Sequence, residues 1–443
     1  MRTGIPTYLF LLVLTLVPNG LAWGDGGDLL WQDRFDPIGR NDTALDVAAG
    51  WGRVVAVGST ESAAGDKDIV VRTYDAKTGE LLWHDQVDLS SRDDEASAVV
   101  MDSRCVIVVG TGTDAAENKE FLVRAYDVKQ GMLLWEDRSV FSSFSAGAHG
   151  VDMDSKRIVV VGHATDSDGQ SRIIVRAYEP ETGRLLWGTQ SPMAGERGVA
   201  RAVALKGPWA YVVGWDNLVG RLGPFVSVRA YDLETGAIRW ESVNSTNSRA
   251  LYVAVSAGRV IVVGQGGDSV DDFLIRAQDA QSGELMWEDR TFVSTGYDNA
   301  AVAVDNEGKR AFVAGWVKFE PEPGYENTEA FLVRAYDVSS GLLLWEDKFL
   351  PSKCLCHALD IAEDSGRVFA VGRATSSFVV RSYEANTGEL LWQDQFIPNP
   401  DLVDYFETGA RGIATQQGRV FVVGVGKSGA GDSDFIIRAY EAK

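Results

Sequence analysis

Residues 120–137 read EFLVRAYDVKQGMLLWED, and residues 330–347 read AFLVRAYDVSSGLLLWED. The string returns in altered form as IVVRTYDAKTGELLWHD at 69–85, IIVRAYEPETGRLLWGT at 173–189 and VSVRAYDLETGAIRWES at 226–242. It recurs again as FLIRAQDAQSGELMWED at 273–289 and FVVRSYEANTGELLWQD at 378–394. Two fragments complete the set, DLLWQDRF at 28–35 and FIIRAY at 435–440. A fixed period of this length marks a repeat architecture, in which each unit buries its apolar face only against its neighbours.

The period is counted by one tryptophan per unit: Trp31, Trp83, Trp135, Trp187, Trp240, Trp287, Trp345 and Trp392, at gaps of 52, 52, 52, 53, 47, 58 and 47 residues. Between successive tryptophans lies a second unit, such as GVDMDSKRIVVVG at 150–162 or GIATQQGRVFVVG at 412–424. Each unit holds two short β-branched runs split by a turn cluster, which reads as a hairpin. The FLVRAYD and LLWED runs form another hairpin around a Gly-containing turn. Four short strands per period of about fifty residues is the pattern of a propeller blade. The fold class is therefore all-β: an eight-bladed β-propeller of four-stranded antiparallel blades. We label the strands of a blade A to D in chain order.

The count leaves a C strand at 435–440 with no D strand after it, and an orphan D strand, Leu29 to Asp33, near the start. The last blade is thus closed by the N-terminal strand, which removes a free sheet edge. Gly79, Gly131, Gly183, Gly236, Gly283, Gly341 and Gly388 share one turn position, where a positive φ is expected. An Arg recurs in every C strand, from Arg72 to Arg438, and an Asp stands two residues past the Trp in six repeats. We expect these to approach across the C–D hairpin as Arg–carboxylate pairs.

The opening MRTGIPTYLFLLVLTLVPNGLAWG has a positive Arg2, an apolar Leu9 to Val17 and a small-residue Gly20-Leu21-Ala22. That reads as a signal peptide over 1–22, with a single propeller domain over 23–443 and a periplasmic or extracellular destination. The chain carries 42 basic against 63 acidic residues, net −21, a balance that argues against nucleic-acid and anionic-lipid partners. No later segment has the length of a membrane span. Of the three cysteines, Cys105 reads as a buried apolar thiol, while Cys354 and Cys356 in KCLCH form a tight local disulfide or stay free.

The spacing Ala-x-Asp-x-x-Thr-Gly-x-x-x-Trp, met in full by AYDLETGAIRW at 230–240, resembles the tryptophan-docking motif of the quinoprotein (PQQ-like) propeller repeats. AYEPETGRLLW at 177–187 fits with Glu179 for Asp, and AYDVKQGMLLW at 125–135 has Gln130 for Thr. That family contains PQQ-dependent alcohol dehydrogenases and non-catalytic members, among them an eight-bladed lipoprotein of outer-membrane assembly. The resemblance implies a disulfide of adjacent cysteines over the quinone and a calcium site of Glu, Asn and Asp in the dehydrogenases. Here the cysteines are separated by Leu355, and the blades leave no room for the insertions those enzymes carry. The expectation is a non-catalytic scaffold without cofactor, closer to the non-catalytic members. The alternative is a PQQ- or metal-dependent oxidoreductase with its site in the central funnel.

The A–B and C–D turns are short and uniform, whereas the B–C segments and the D–A stretch 393–409 vary, so binding is expected on the face the latter share. The longest segment, 316–330, is read as displaying Trp316, Phe319 and Tyr325; the D–A stretch adds Tyr405 and Phe406, and further blades add Trp215 and Arg373. A protein or glycan partner fits such aromatics. The funnel rim is expected to hold His149, His163, Arg201, His357 and Arg411. The rim histidines with Cys354, Cys356, Asp166 and Asp168 also suit a metal, and DSDG at 166–169 resembles the start of a calcium loop but lacks its remaining ligands and closing Glu, so simple solvation is the expectation for these polar groups.

Overall fold

A computed structural model describes residues 27–443 apart from 142–144, 168, 191–196, 218–223, 245–247, 267–272, 292–300, 306, 320–327, 352–353, 402–407 and 430. Its strands form eight four-stranded antiparallel sheets, seven of them contiguous in sequence. Blade 1 runs Asp42–Gly50, Arg53–Glu61, Lys67–Asp75 and Leu81–Val87. Blades 2 to 7 begin at Glu95, Ser145, Arg197, Ser248, Ala301 and Cys356. Blade 8 takes its A, B and C strands from Gly409–Gln416, Arg419–Lys427 and Ser433–Glu441, and its D strand from Leu29–Phe35.

The B and C strands carry apolar runs buried on both faces, because each sheet is sandwiched between two others. The core is accordingly divided into clusters at the blade boundaries. Val47, Val54 and Tyr74 of blade 1 meet Phe421, Phe435 and Ile437 of blade 8 in one of them. The outer D strands leave their leucines about two-fifths exposed, as at Leu81 (41%) and Leu390 (42%).

Each repeat Trp leans off its D strand onto the next blade's C–D turn. The indole Nε1 of Trp83 donates to Val128 O at 3.2 Å, and a Cβ on Gly131 would lie 2.5 Å from the ring. Gly131 has φ +69°, so both the conformation and the close approach require glycine. The same ring stacks on the next blade's tyrosine, Trp83 on Tyr126 at 5.8 Å. Trp392 has no such turn ahead of it in the chain. It lies on Gly27, whose φ is +76° and whose Cβ would fall 2.6 Å from the ring. Gly27 N donates to Glu441 O, and Glu441 N to Asp28 O, as Gly79 N does to Asp75 O and Asp75 N to Glu80 O in blade 1. The turn of blade 8 is therefore reassembled from both ends of the chain, and Gly27 is an eighth docking glycine that motif counting missed.

The Arg–Asp pairs form, but not across the hairpin as expected. Within a hairpin Arg72 faces His84 and Arg124 faces Glu136, one position away from the Asp. The Asp instead reaches the following blade. Asp33 accepts from Arg72 Nη2 at 2.9 Å and from Tyr74 Oη at 2.8 Å, and Asp347 accepts from Arg381 and Tyr383 at 3.2 and 2.8 Å. Sheet twist and the sandwich geometry bring the D strand of one blade over the C strand of the next, closer than its own hairpin partner. Where the Asp is replaced by Thr189 or Ser242, the arginines turn elsewhere: Arg229 pairs with Asp216 at 2.8 Å, and Arg276 with Glu288 at 2.7 Å.

Two outcomes follow. Asp347→Ala strips a buried guanidinium, only 4% exposed at Arg381, of its inter-blade carboxylate and should cost roughly 3 kcal/mol in chemical denaturation, less if Gln393 re-pairs with it. A loss under about 0.5 kcal/mol would mean the ladder is not structural. Deleting residues 27–36 should expose the C strand Ser433–Glu441 as a bare edge and leave Trp392 undocked, with aggregation or a large fall in melting temperature. An unchanged melting transition would refute the shared blade.

Candidate functional site

The A strands line the central channel, and among the described residues a β-bulge interrupts the A–B ladder at one position in seven blades. The extra residues are Leu45, Ser97, His149, Arg201, Leu251, Leu359 and Arg411. A bulge re-aims a side chain that regular pairing would commit to a face. This is why His149, Arg201 and Arg411, all read as rim residues from sequence, share one level. The bulge also lets the A strand approach the glycine of each B strand: a Cβ on Gly162 would fall 2.0 Å from Gly147 O.

The residue after that glycine is of seven kinds across the eight blades, with only tryptophan used twice: Ser59, Thr111, His163, Trp215, Gln265, Trp316, Arg373 and Val425. These eight form a ring at the channel mouth, and Ser59, Thr111, Trp215, Trp316 and Arg373 lean on the A strand of the following blade. Ser59 Oγ donates to Glu95 at 3.4 Å, Arg249 lies over the Trp215 ring at 5.5 Å, and Trp316 stacks on His357 at 4.8 Å. Where the incoming side chain fills the space the following blade carries glycine: a Cβ on Gly147 would meet Thr111 Oγ1 at 2.5 Å, and one on Gly409 would meet Arg373 Cβ at 2.6 Å.

Trp316 is therefore not a displayed loop aromatic. It lies inside the B strand Arg310–Phe319, is 7% exposed, and covers His357. The Gly-Trp dipeptide at 315–316 repeats the Gly-Trp at 214–215, a signal that would have placed it in the strand. Trp215 and Arg373 likewise belong to B strands, each partly exposed. Phe319 ends the same strand as Trp316, and Tyr325, Tyr405 and Phe406 lie outside the described residues.

The rim histidines form two separate groups in blades 3 and 7. His149 Nε2 and His163 Nδ1 are 2.8 Å apart with the rings stacked at 5.0 Å, and Ser145 Oγ reaches His163 Nε2 at 3.1 Å. Burial first, then the charges of His163 and Arg201, push the His149 pKa down to about 3; burial and Arg201 lower His163 as well. In blade 7, His357 Nε2 meets Glu329 Oε2 at 2.5 Å while Arg373 Nη2 contacts Nδ1 at 2.9 Å. Cys354 and Cys356 are joined as a disulfide, so neither thiol serves the metal set considered from sequence. Asp166 pairs with Arg172 at 3.2 Å, and Asp168 lies outside the described residues. The disulfide loop instead fastens blade 7 to blade 6: Glu329 N donates to Cys354 O at 3.1 Å beside the Glu329–Leu355 bridge.

Deeper in the channel, Asp46, Tyr252 and Asp360 stand at one level with Ala98, Gly150, Ala202, Ala301 and Gly412. The inner edge of an A strand has no neighbouring strand, so its N–H groups need other acceptors. Asp46 takes Val47 N and, across the blade boundary, Val99 N at 2.8 Å. Asp152 does the same for Met153 and Leu205, and Asp360 for Ile361 and Ile413. Enclosure by protein raises Asp46 to about 6 and, with the charge of Asp46 added, Asp360 to about 7. Solvent nonetheless reaches this level, since Tyr252 is 40% exposed. These carboxylates are spent on backbone donors, and Cys354 and Cys356 are 2% and 0% exposed inside the core between blades 6 and 7. The described residues thus do not fit a quinone laid against that disulfide.

The family model described as outer membrane protein assembly factor BamB matches residues 21–210, 171–315 and 224–374. No curated protein sequence matches. Among solved structures, BamB from Moraxella catarrhalis superimposes with a TM-score of 0.54 at 12% identity, covering 94% of this chain and 99% of that one. Quinohemoprotein alcohol dehydrogenase from Comamonas testosteroni gives 0.60 at 12% identity, covering 94% and 76%. A second quinohemoprotein alcohol dehydrogenase, from Pseudomonas putida HK5, gives 0.58 at 15%, covering 94% and 76%. At these identities the superpositions report the fold alone.

The histidine pair has a pH signature. Below about pH 6.5 an unfolded chain protonates His149 and His163, whereas the fold resists it, so both groups remove stability as pH falls, His149 down to about pH 3. Asp46 and Asp360 act oppositely, because their raised pKa values favour the fold as pH falls from about 7 to about 4. The comparison of wild type with His149→Gln isolates the first effect. Between pH 7 and 5 the variant should lose less stability, by up to about 1.4 kcal/mol per pH unit. Parallel denaturation curves would show that the pair is not held neutral.

Proposed function

The chain belongs to the outer membrane protein assembly factor BamB family, and on that premise we propose that it is an exported, non-catalytic propeller that binds a protein partner at the channel mouth and surrounding loops. One observation carries this reading. The eight post-glycine positions of the mouth ring hold seven different side chains, while the C–D turns of the opposite face repeat the same construction. Asp75, Asp127, Asp232, Asp279 and Asp337 each accept from the backbone N–H groups two and three residues on, and differ little beyond that. A ring of equivalent strands becomes asymmetric only where its side chains differ, and a specific partner needs asymmetry.

The chemistry of the mouth indicates the partner. In a chain of net charge −21, Arg249 and Arg373 stand at the level of this ring and Arg201 and Arg411 at the adjoining bulges, with the partly exposed Trp215 in the ring. Arginine and tryptophan are the side chains most enriched among residues that dominate interface energies. An acidic segment of a protein meets both the charge and the aromatic surface. The finer expectations, that Tyr325, Tyr405 and Phe406 add to this surface and that a glycan could take the protein's place, belong to the same proposal.

The oxidoreductase reading is opposed by the fit described above and predicts a different result. Supplied with PQQ and calcium, the purified chain should give no alcohol-dependent dye reduction; turnover abolished by a substitution at the mouth would overturn the scaffold reading. For binding, Trp215→Ala combined with Arg201→Ala should weaken capture of envelope proteins by tenfold or more, taking about 2 kcal/mol for a dominant interface residue. Lys77→Ala with Lys129→Ala, on the opposite turns, should leave capture unchanged. The reverse pattern would mean that the wrong face has been chosen.

A further inference from the structure

Two groups of carboxylates recur at the same place in adjacent blades. In blade 8, Asp432 and Asp434 open the C strand and Asp36 follows the D strand; in blade 1, Asp66 and Asp68 open the C strand and Asp88 follows the D strand. The local sequences correspond, AGDSD at 430–434 and AGDKD at 64–68. In each group three ligand oxygens, one per residue, lie within 4.8 Å of one another. That is the diametric span of oxygens around an ion held at about 2.4 Å.

Acidic neighbours alone would be a solvated patch, but these groups contain buried oxygens without partners. Asp434 is 0% exposed, and its Oδ1 has no hydrogen-bond partner among the described residues; neither has either carboxylate oxygen of Asp432. A fourth carboxylate stands beside them. Asp42, at the start of the blade 1 A strand and also 0% exposed, uses Oδ1 for Thr60 and leaves Oδ2 unpartnered, while the charges of Asp36, Asp434 and Asp432 all bear on it. In blade 1, Asp68 is 5% exposed with Oδ1 unpartnered, and Asp66 and Asp88 bear on it.

Arg34 contacts Asp434 Oδ2, a single guanidinium whose charge does not match those of the four neighbouring carboxylates. Arg40 is taken by Glu61 at 2.9 Å. In blade 1 the position of Arg34 is held by Gln86, which donates to Asp68 Oδ2 at 2.7 Å and brings no charge. Lys67 pairs with Glu95 at 3.5 Å. Burying carboxylate oxygens with neither a donor nor a counter-charge is costly, and a bound cation is the usual remedy.

We propose that Asp36, Asp42, Asp432 and Asp434 bind one calcium ion and that Asp66, Asp68 and Asp88 bind a second. An all-oxygen set of carboxylates selects a hard divalent cation, and irregular placement suits calcium's flexible coordination over the strict octahedron of magnesium. The two sites differ in consequence. The blade 1 site joins residues of one hairpin, whereas the blade 8 site joins Asp36, from the N-terminal strand, to Asp432 and Asp434 of the last C strand. The blade 8 ion would therefore bind both ends of the chain at the closure of the ring.

The test uses the full mature chain freed of metal with EDTA, titrated with calcium chloride by isothermal calorimetry and melted with and without the ion. Two ions per chain are expected, with a rise in melting temperature of about 5 °C or more at saturating calcium. Asp36→Asn should reduce the stoichiometry to one and abolish most of the rise. Asp66→Asn should also leave one ion but retain most of the rise. Both variants should melt like wild type in EDTA, which separates lost binding from lost folding. Failure to bind calcium at 1 mM, a preference for magnesium, or a stoichiometry that neither substitution changes would each overturn the assignment.

Discussion

The indole of each D strand, laid on the turn glycine of the next blade, is the contact on which the remaining structure depends. It fixes the distance and angle between neighbouring sheets, because a ring 2.4–2.6 Å from the missing Cβ leaves no freedom to slide. Once the blades are set so, the Asp of one D strand falls beside the Arg and Tyr of the following C strand, and the apolar clusters close between them. The contact must occur at every boundary, including the one the chain itself does not cross. Blade 8 meets that demand by drawing Gly27 and the strand Leu29–Phe35 from the other end of the sequence.

Regularity on the outside leaves the inside free to vary. The A strands bulge at one level and face a channel where no further strand supplies acceptors, so Asp46, Asp152 and Asp360 cap the exposed N–H groups across blade boundaries. At the mouth above them the ring positions need only avoid the next blade. Histidine, tryptophan, arginine, glutamine and threonine all meet that condition, with glycine opposite where space is short. The same scaffold can therefore present an asymmetric surface without any change in how the blades dock.

Much of this was legible in the sequence because it repeats. The strand order, the blade count, the docking Trp and Gly and the split last blade all follow from period and turn chemistry. What escaped were features set between blades. The partner of Arg72 is Asp33 and not a residue of its own hairpin, since inter-sheet distance, invisible to a pattern within one repeat, decides it. Trp316 looked like a loop aromatic because the loop after it is long, yet its strand neighbour Gly315 shares the register of Gly214. The rim histidines are divided between two blades, where His149 meets His163 and His357 meets Glu329, pairings that no pattern within one repeat discloses. The blade 8 carboxylates join Asp36 to Asp432 and Asp434 from opposite ends of the chain, and those of blade 1 join Asp66 and Asp68 to Asp88 across a hairpin, so neither group reads as a contiguous motif.

The reassembled turn also dictates how the chain could be reconnected. Blade 1 reads Tyr74-Asp75-Ala76-Lys77-Thr78-Gly79, and blade 8 reads Tyr440-Glu441-Ala442-Lys443 before resuming at Gly27. A single threonine between Lys443 and Gly27 would restore the same turn as a continuous chain. The decisive measurement is the thermal melt of a circular permutant made with that one-residue link and opened in blade 2 between Lys129 and Gly131, omitting Gln130. If ring closure through inter-blade docking governs the fold, this permutant will fold and melt within a few degrees of the parent, its new ends docked as the old ones were. A permutant that fails to fold, or melts tens of degrees lower, would contradict the account.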